Sequence, residues 1–154
     1  MQYEFKYIST DNYELVYTNT KKEEVKIPFT RTTKMARDLQ RIQVDARMEM
    51  YSALAEKGMT KEDLIIKRND GKGHVIYDET NLKSMENDYI ELISGITIVK
   101  LMEEAFKKDI DSIMLDMGMN LEDNQEENAE FLKVFSMKFL KIINGSEEKE
   151  TPSV

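Results

Sequence analysis

The 154-residue chain contains no cysteine, no tryptophan and one histidine, His74. Without cysteine there are no disulfide frameworks, thiolate metal sites or cysteine nucleophiles. A single imidazole excludes every mechanism that needs two, and without a second base it supports no nucleophile–base–acid triad. The absence of tryptophan removes one usual platform for a sugar-binding cleft. No apolar run approaches the 18 residues of a membrane span. The opening Met1-Gln2-Tyr3-Glu4-Phe5-Lys6 lacks the basic-then-apolar layout of a secretion signal, so a soluble intracellular protein is expected.

What remains is 40% hydrophobic and 34% charged, with a net charge of −8. This length suffices for one domain with its own core. The charge is uneven: residues 1–60 carry +1, 61–109 carry −3 and 110–154 carry −6. An acidic C-terminal third repels phosphate backbones, so direct nucleic-acid binding is not expected. Eleven methionines are an excess. Flexible thioethers suit either irregular gaps in a core or surfaces that accept more than one partner shape.

Alternation of Tyr3, Phe5 and Tyr7 with Glu4 and Lys6 predicts a half-buried strand. A turn at Asp11-Asn12 leads to a second strand, Tyr13 to Thr18, and a turn near Thr20-Lys21-Lys22 leads to a third carrying Val25, Ile27 and Phe29. The expected fold class is α+β, mostly helical. A β-meander over 3–29 packs on a helical bundle, with a second short hairpin or loop over 64–77. All of 1–145 is read as one domain, followed by a disordered acidic tail, 146–154.

The clearest helix is expected over 33–57, capped by Thr32 or Thr33 and stopped by Gly58. Met35, Leu39, Ile42, Ala46, Met50 and Ala53 form one apolar stripe at helical spacing, with Lys34, Arg37 and Arg41 on the far side. Val44, Met48 and Tyr51 form a second apolar row, to be buried between internal layers or against another molecule. Thr60 and Asp63 resemble a capping box. Helices are expected over 82–143. The 3–4 spacing from Leu82 through Met85, Tyr89, Leu92, Ile96, Val99, Phe106, Ile110 and Ile113 to Met117 resembles a coiled-coil seam. A single helix of that reach would be about 54 Å long, so two are expected, with a break between Phe106 and Ile110 where Asp109 caps the second. The polar stretch Asn120–Asn128 reads as a loop. The last helix shows a broad face of Phe131, Leu132, Phe135, Phe139, Ile142 and Ile143, with Val134, Met137 and Leu140 outside it.

Chemical motifs are weak. Gly71-Lys72-Gly73 lacks the spacing and the Ser/Thr of a phosphate loop, and Asn69-Asp70-Gly71 lacks the ligand spacing of a calcium loop. The acids Asp116, Glu122, Asp123, Glu126 and Glu127 read as a solvated face rather than a metal site. No catalytic, cofactor-binding or metal residue is assigned, no cofactor is implied and no enzyme activity is expected.

Two segments carry a family resemblance. One is Pro28-Phe29-Thr30-Arg31-Thr32-Thr33-Lys34-Met35-Ala36-Arg37-Asp38-Leu39-Gln40, entering the long helix. The other is Leu54-Ala55-Glu56-Lys57-Gly58-Met59-Thr60-Lys61-Glu62-Asp63-Leu64. Together with the Tyr/Phe meander they resemble small tail assembly chaperones of long-tailed phages and prophages from low-GC Gram-positive bacteria. The resemblance covers residues 3–65, and 80–117 more loosely. It implies a non-enzymatic role in the host cytoplasm. Such a protein would bind and solubilise the tape-measure protein, help to recruit tail-tube subunits and be absent from the mature virion. Arg37, Arg41, Val44, Met48 and Tyr51 are the candidate partner-binding residues, because helical anchors suit a helical client. Two rival readings stay open: a structural virion component such as a tail-completion protein, and an acidic regulator of a host enzyme. The choice between monomer and homo-oligomer is open too.

Overall fold

The computed structural model describes residues 3–145; the expected tail, 146–154, lies outside the described residues. The architecture is α+β: an antiparallel three-stranded sheet on helices, plus a separate two-stranded hairpin. Strands β1 (Tyr3–Ser9), β2 (Asn12–Thr18) and β3 (Glu24–Thr30) pair in the order β1-β2-β3. Phe5 stands opposite Leu15 and Leu15 opposite Ile27, so the odd-numbered residues share one face. On it Tyr13, Leu15, Tyr17 and Phe29 are buried. Asp11 and Lys22 supply the positive φ of the two turns, 63° and 62°. Pro28 sits on β3, an edge strand, where a missing N–H costs no ladder bond.

The expected single helix 33–57 is divided. Helix α1 (Thr33–Gln40) and helix α2 (Ile42–Glu56) meet at Arg41, whose φ of −85° and ψ of −6° remain right-handed. Thr32 is the cap of α1: its Oγ1 accepts the Met35 N–H at 3.2 Å. Gly58, at φ +67°, stops α2. Its N–H bonds the Ala55 carbonyl while the Met59 N–H bonds Leu54, the paired pattern that satisfies two terminal carbonyls. A 3-10 turn at Lys61–Leu64 follows, where the Asp63 carboxylate accepts the Thr60 N–H at 2.8 Å. The segment 64–77 is a hairpin, β4 (Ile66–Asn69) and β5 (Val75–Asp78).

Helix α3 (Thr80–Phe106), helix α4 (Ile110–Asp116) and helix α5 (Gln125–Ile143) complete the chain. The break falls between Phe106 and Ile110 as expected, and Asp109 occupies the cap position. Its side chain makes no cap bond, however; Glu103 reaches from α3 and its Oε2 accepts the Ile110 N–H at 3.2 Å. The seam of α3 also needs correcting, since Leu92 and Ile96 are exposed and Leu101, Met102 and Ala105 are buried instead. Leu92 and Ile96 stand on the same side of α3 as Met85 and Tyr89, but the Met50–Leu54–Leu82 cluster on which those two pack does not extend to them, and the last turns of α3 bury a different side. The polar loop is shorter than expected, because α5 begins at Gln125.

The chain divides into two compact units: the residues up to Arg37 with those from Ile98 onward, and Asp38–Thr97. In the first, Phe5 and Phe29 of the sheet meet Phe106, Phe135 and Phe139 at ring-centroid distances of 5.1–6.3 Å. Phe131 stacks on Phe135, which brings all six phenylalanines into one cluster. The buried Tyr17 hydroxyl donates to Asp116 Oδ2 at 2.6 Å, and the Thr20 N–H donates to the Asp116 carbonyl at 3.0 Å, tying β2 and its turn to α4. Arg31 Nε donates to the Ile143 carbonyl at 2.8 Å, placing a cation at the C-terminus of α5. In the second unit the core is small: Met50, Leu54 and Leu82 are buried, with Met59, Leu64, Ile65, Met85 and Tyr89 packed half-buried around them. Among the described residues no helix is long and apolar enough to cross a membrane.

Candidate functional site

Helix α2 carries its two apolar rows on opposite sides. Ile42, Ala46, Met50 and Leu54 recur every four residues and are buried. Val44, Met48 and Tyr51 follow steps of four and three and are 51%, 62% and 41% exposed. Of the two fates open to this second row, internal burial is not the one adopted within the chain. Burying such a side chain completely is worth about 1.5–3 kcal/mol, so covering three half-exposed ones recovers roughly 2–4 kcal/mol.

Four of the five candidate residues fall along one row of α2 and the residue that precedes it, and the fifth, Arg37, lies on α1. Arg41 stands at the start of α2, exposed, with Nη2 3.9 Å from Asp45 Oδ1. It continues the row of Val44, Met48 and Tyr51 by one step of three. Arg37 is exposed on α1 and belongs to the other unit. Beyond Tyr51 lies a shallow cleft of about 440 Å³ lined also by Leu54, Met59, Thr60, Lys61 and Glu62. Sequence reasoning missed this cleft. It arises because the Gly58 turn folds Met59 and the 3-10 segment back beside α2, a consequence of a positive φ that periodicity does not report.

The weak motifs resolve into structural roles. Asp70 Oδ1 accepts the N–H groups of Lys72 (2.7 Å) and His74 (3.1 Å), and Asn69 Oδ1 accepts that of Gly71 (3.1 Å). The backbone donors that a phosphate would need are therefore engaged within the turn. Those bonds, the Lys72 N–H foremost, hold the Asp70 carboxyl below its usual range. His74 Nδ1 lies 3.2 Å from Asp70 Oδ2. Glu62 in the cleft is also lowered, first by its own backbone N–H and then by the Thr60 hydroxyl. Asp78 is lowered by the Thr80 hydroxyl and N–H. All three shifts favour the ionised form, the opposite of a carboxyl held protonated to act as a general acid. In the acidic stretch, Asn120 Oδ1 accepts the N–H groups of Glu122 and Asp123, and Asp116 is engaged by Tyr17. Among the described residues no group of three or more acidic or histidine side chains is placed to hold a metal ion.

Two further apolar surfaces accompany α2. Val134 and Met137, outside the main face of α5, are exposed, while Leu140 is half-buried. Every residue of the β4–β5 hairpin except Asp78 is exposed. Comparison of the chain with protein-family models, with curated proteins and with solved structures gave no match.

Proposed function

We propose that this chain is a non-catalytic assembly chaperone that holds an amphipathic helix of a client on the exposed row of α2. The observation that carries the reading is the row itself: Val44, Met48 and Tyr51 at helical spacing, exposed on the side of α2 away from its buried stripe. An apolar row costs solubility unless something covers it, and a helix laid along it would recover the 2–4 kcal/mol estimated above. The resemblance of residues 3–65 to phage tail assembly chaperones supplies the client: the tape-measure protein, with tail-tube subunits recruited afterwards in the host cytoplasm and the chaperone absent from finished particles.

Co-expression with the neighbouring tape-measure gene tests the proposal. The wild-type chain is expected to keep the client soluble and co-elute with it. Met48→Asp places a charge in the middle of the row and should abolish co-elution, while Tyr51→Ala should weaken it about tenfold, the equivalent of roughly 1.4 kcal/mol. Undiminished rescue by both variants refutes the assignment of the row. An insoluble client beside the wild-type chain refutes the function.

A further inference from the structure

The β4–β5 hairpin presents a surface that the chaperone reading does not use. A two-stranded ribbon is marginal in water, and an unpaired strand edge is a template for another strand. The two edges of this ribbon differ. β4 carries Lys67 and Arg68, charges that commonly guard an edge, whereas β5 offers Val75, Ile76 and Tyr77, which are 57%, 51% and 59% exposed. No charge, proline or bulge interrupts that apolar triplet.

We propose that β5 pairs antiparallel with β5 of a second copy, making a four-stranded sheet about a two-fold axis at Ile76. The ladder phase sets the register. The Asp70 N–H bonds the His74 carbonyl at 3.2 Å, so the pair 70–74 is of the hydrogen-bonded kind, and the β4–β5 register continues from it to Asn69–Val75 and Arg68–Ile76. Alternation then turns the N–H and C=O of Val75 and Tyr77 outward. When Val75 of one copy faces Tyr77 of the other, both exchange their backbone bonds, and the symmetric partners repeat this on the other side of the axis. One register therefore satisfies four donors and four acceptors.

The side chains fit the same register. Val75 meets a tyrosine and Ile76 meets its own copy, which are favourable cross-strand pairs. His74 falls opposite Asp78 of the second copy. Its Nδ1 lies against the Asp70 carboxylate, so a ring protonated on both nitrogens directs its Nε2–H at the carboxylate of the second copy. Self-association also has to overcome a charge of −8 on each chain. Residues 66–78 carry three basic and two acidic side chains, so the hairpin adds no negative charge to the approach. These features select a second copy of this chain as the occupant.

The absence of cysteine makes a single introduced thiol diagnostic. Facing Cα atoms of a non-hydrogen-bonded antiparallel pair lie about 4.5 Å apart, within disulfide reach. Ile76→Cys should therefore form a disulfide-linked dimer under mild oxidation at least about tenfold faster than Met137→Cys, an exposed control on α5. By light scattering the wild-type chain should dimerise with concentration. Ile76→Lys sets like charges face to face on the axis and should weaken dimerisation at least about tenfold. Ile76 supports no core, so the circular dichroism of that variant should match wild type. Three results would overturn the proposal: a wild-type chain monomeric up to roughly 1 mM, equal cross-linking of the two thiols, or undiminished dimerisation of Ile76→Lys. An extended peptide from another protein as the true occupant would appear as the first of these.

Discussion

Removing the Tyr17 hydroxyl isolates one buried bond whose worth can be worked out in advance. Tyr17 is 1% exposed and donates to Asp116 Oδ2 at 2.6 Å. Tyr17→Phe keeps the ring and opens no cavity. It removes the donor and leaves a half-buried carboxylate short of a partner, and hydrogen bonds to charged groups are worth about 1.5–3 kcal/mol. A loss of about 2 kcal/mol is expected near pH 8, or roughly 4–8 °C in Tm for a chain of this size. The pH dependence gives a second handle. Burial first, and then the bond and charge of Asp116, raise the Tyr17 pKa well above its ordinary 10. The folded state therefore holds this proton after the unfolded chain has released it. The stabilisation is complete below about pH 10 and drains away as pH climbs from there toward the folded value, by up to about 1.4 kcal/mol per unit. The advantage of wild type over Tyr17→Phe should shrink accordingly and be nearly gone by about pH 11.5. All other side chains are common to the two proteins, so the comparison isolates the Tyr17 hydroxyl. Urea unfolding of the pair at pH 8, 10 and 11 measures it. Equal stability at pH 8, or a gap that stays constant into the alkaline range, would refute the reasoning.

The two rows of α2 should respond oppositely to truncation. Met50→Ala empties part of a small core and should cost about 2–5 kcal/mol, while Met48→Ala should change stability by no more than about 0.5 kcal/mol, both read by urea titration. Hydrogen exchange should divide the chain in the same way. Among the described residues, nineteen buried apolar side chains belong to the first unit and five to Asp38–Thr97. The amides of α2 and the hairpin should therefore exchange faster than those of β2 and α5; equal protection would contradict this.

Much of the fold was legible because it rests on local periodicity. The odd-numbered apolar residues of the meander fall on one face, as a period of two requires, and Thr32 and Gly58 end their helices for the reasons their chemistry gives. What escaped depends on contacts distant in sequence or on small angular drift. Arg31 finds the end of α5 across 112 residues, and Tyr17 finds Asp116 across 99, and no spacing rule announces either bond. Leu92 and Ile96 share the side of α3 that carries Met85 and Tyr89, and no spacing rule reports that the Met50–Leu54–Leu82 cluster stops short of them. The cap of α4 is the same lesson in miniature. Asp109 has the right identity and position, yet the carboxylate that serves Ile110 comes from Glu103, seven residues upstream.

The candidate site was half legible for a reason that bears on function. A second apolar row on a helix is visible in sequence, but whether it is buried at home is a property of the whole fold. Nine large apolar side chains lie exposed within Asp38–Thr97: Val44, Met48 and Tyr51 on α2, four in the hairpin, and Leu92 and Ile96 on α3. Among the described residues the other unit leaves four. The unit with the thinner core thus carries the broader apolar surface. A sequence under pressure only to fold would place those side chains inside, because each buried one adds stability that so small a core lacks. Their placement outside is accounted for if part of the free energy that orders this unit comes from what binds it. Ligand binding to the folded state then raises its stability by mass action, so a partner that covers α2 should also slow the opening of the hairpin and of the first turns of α3.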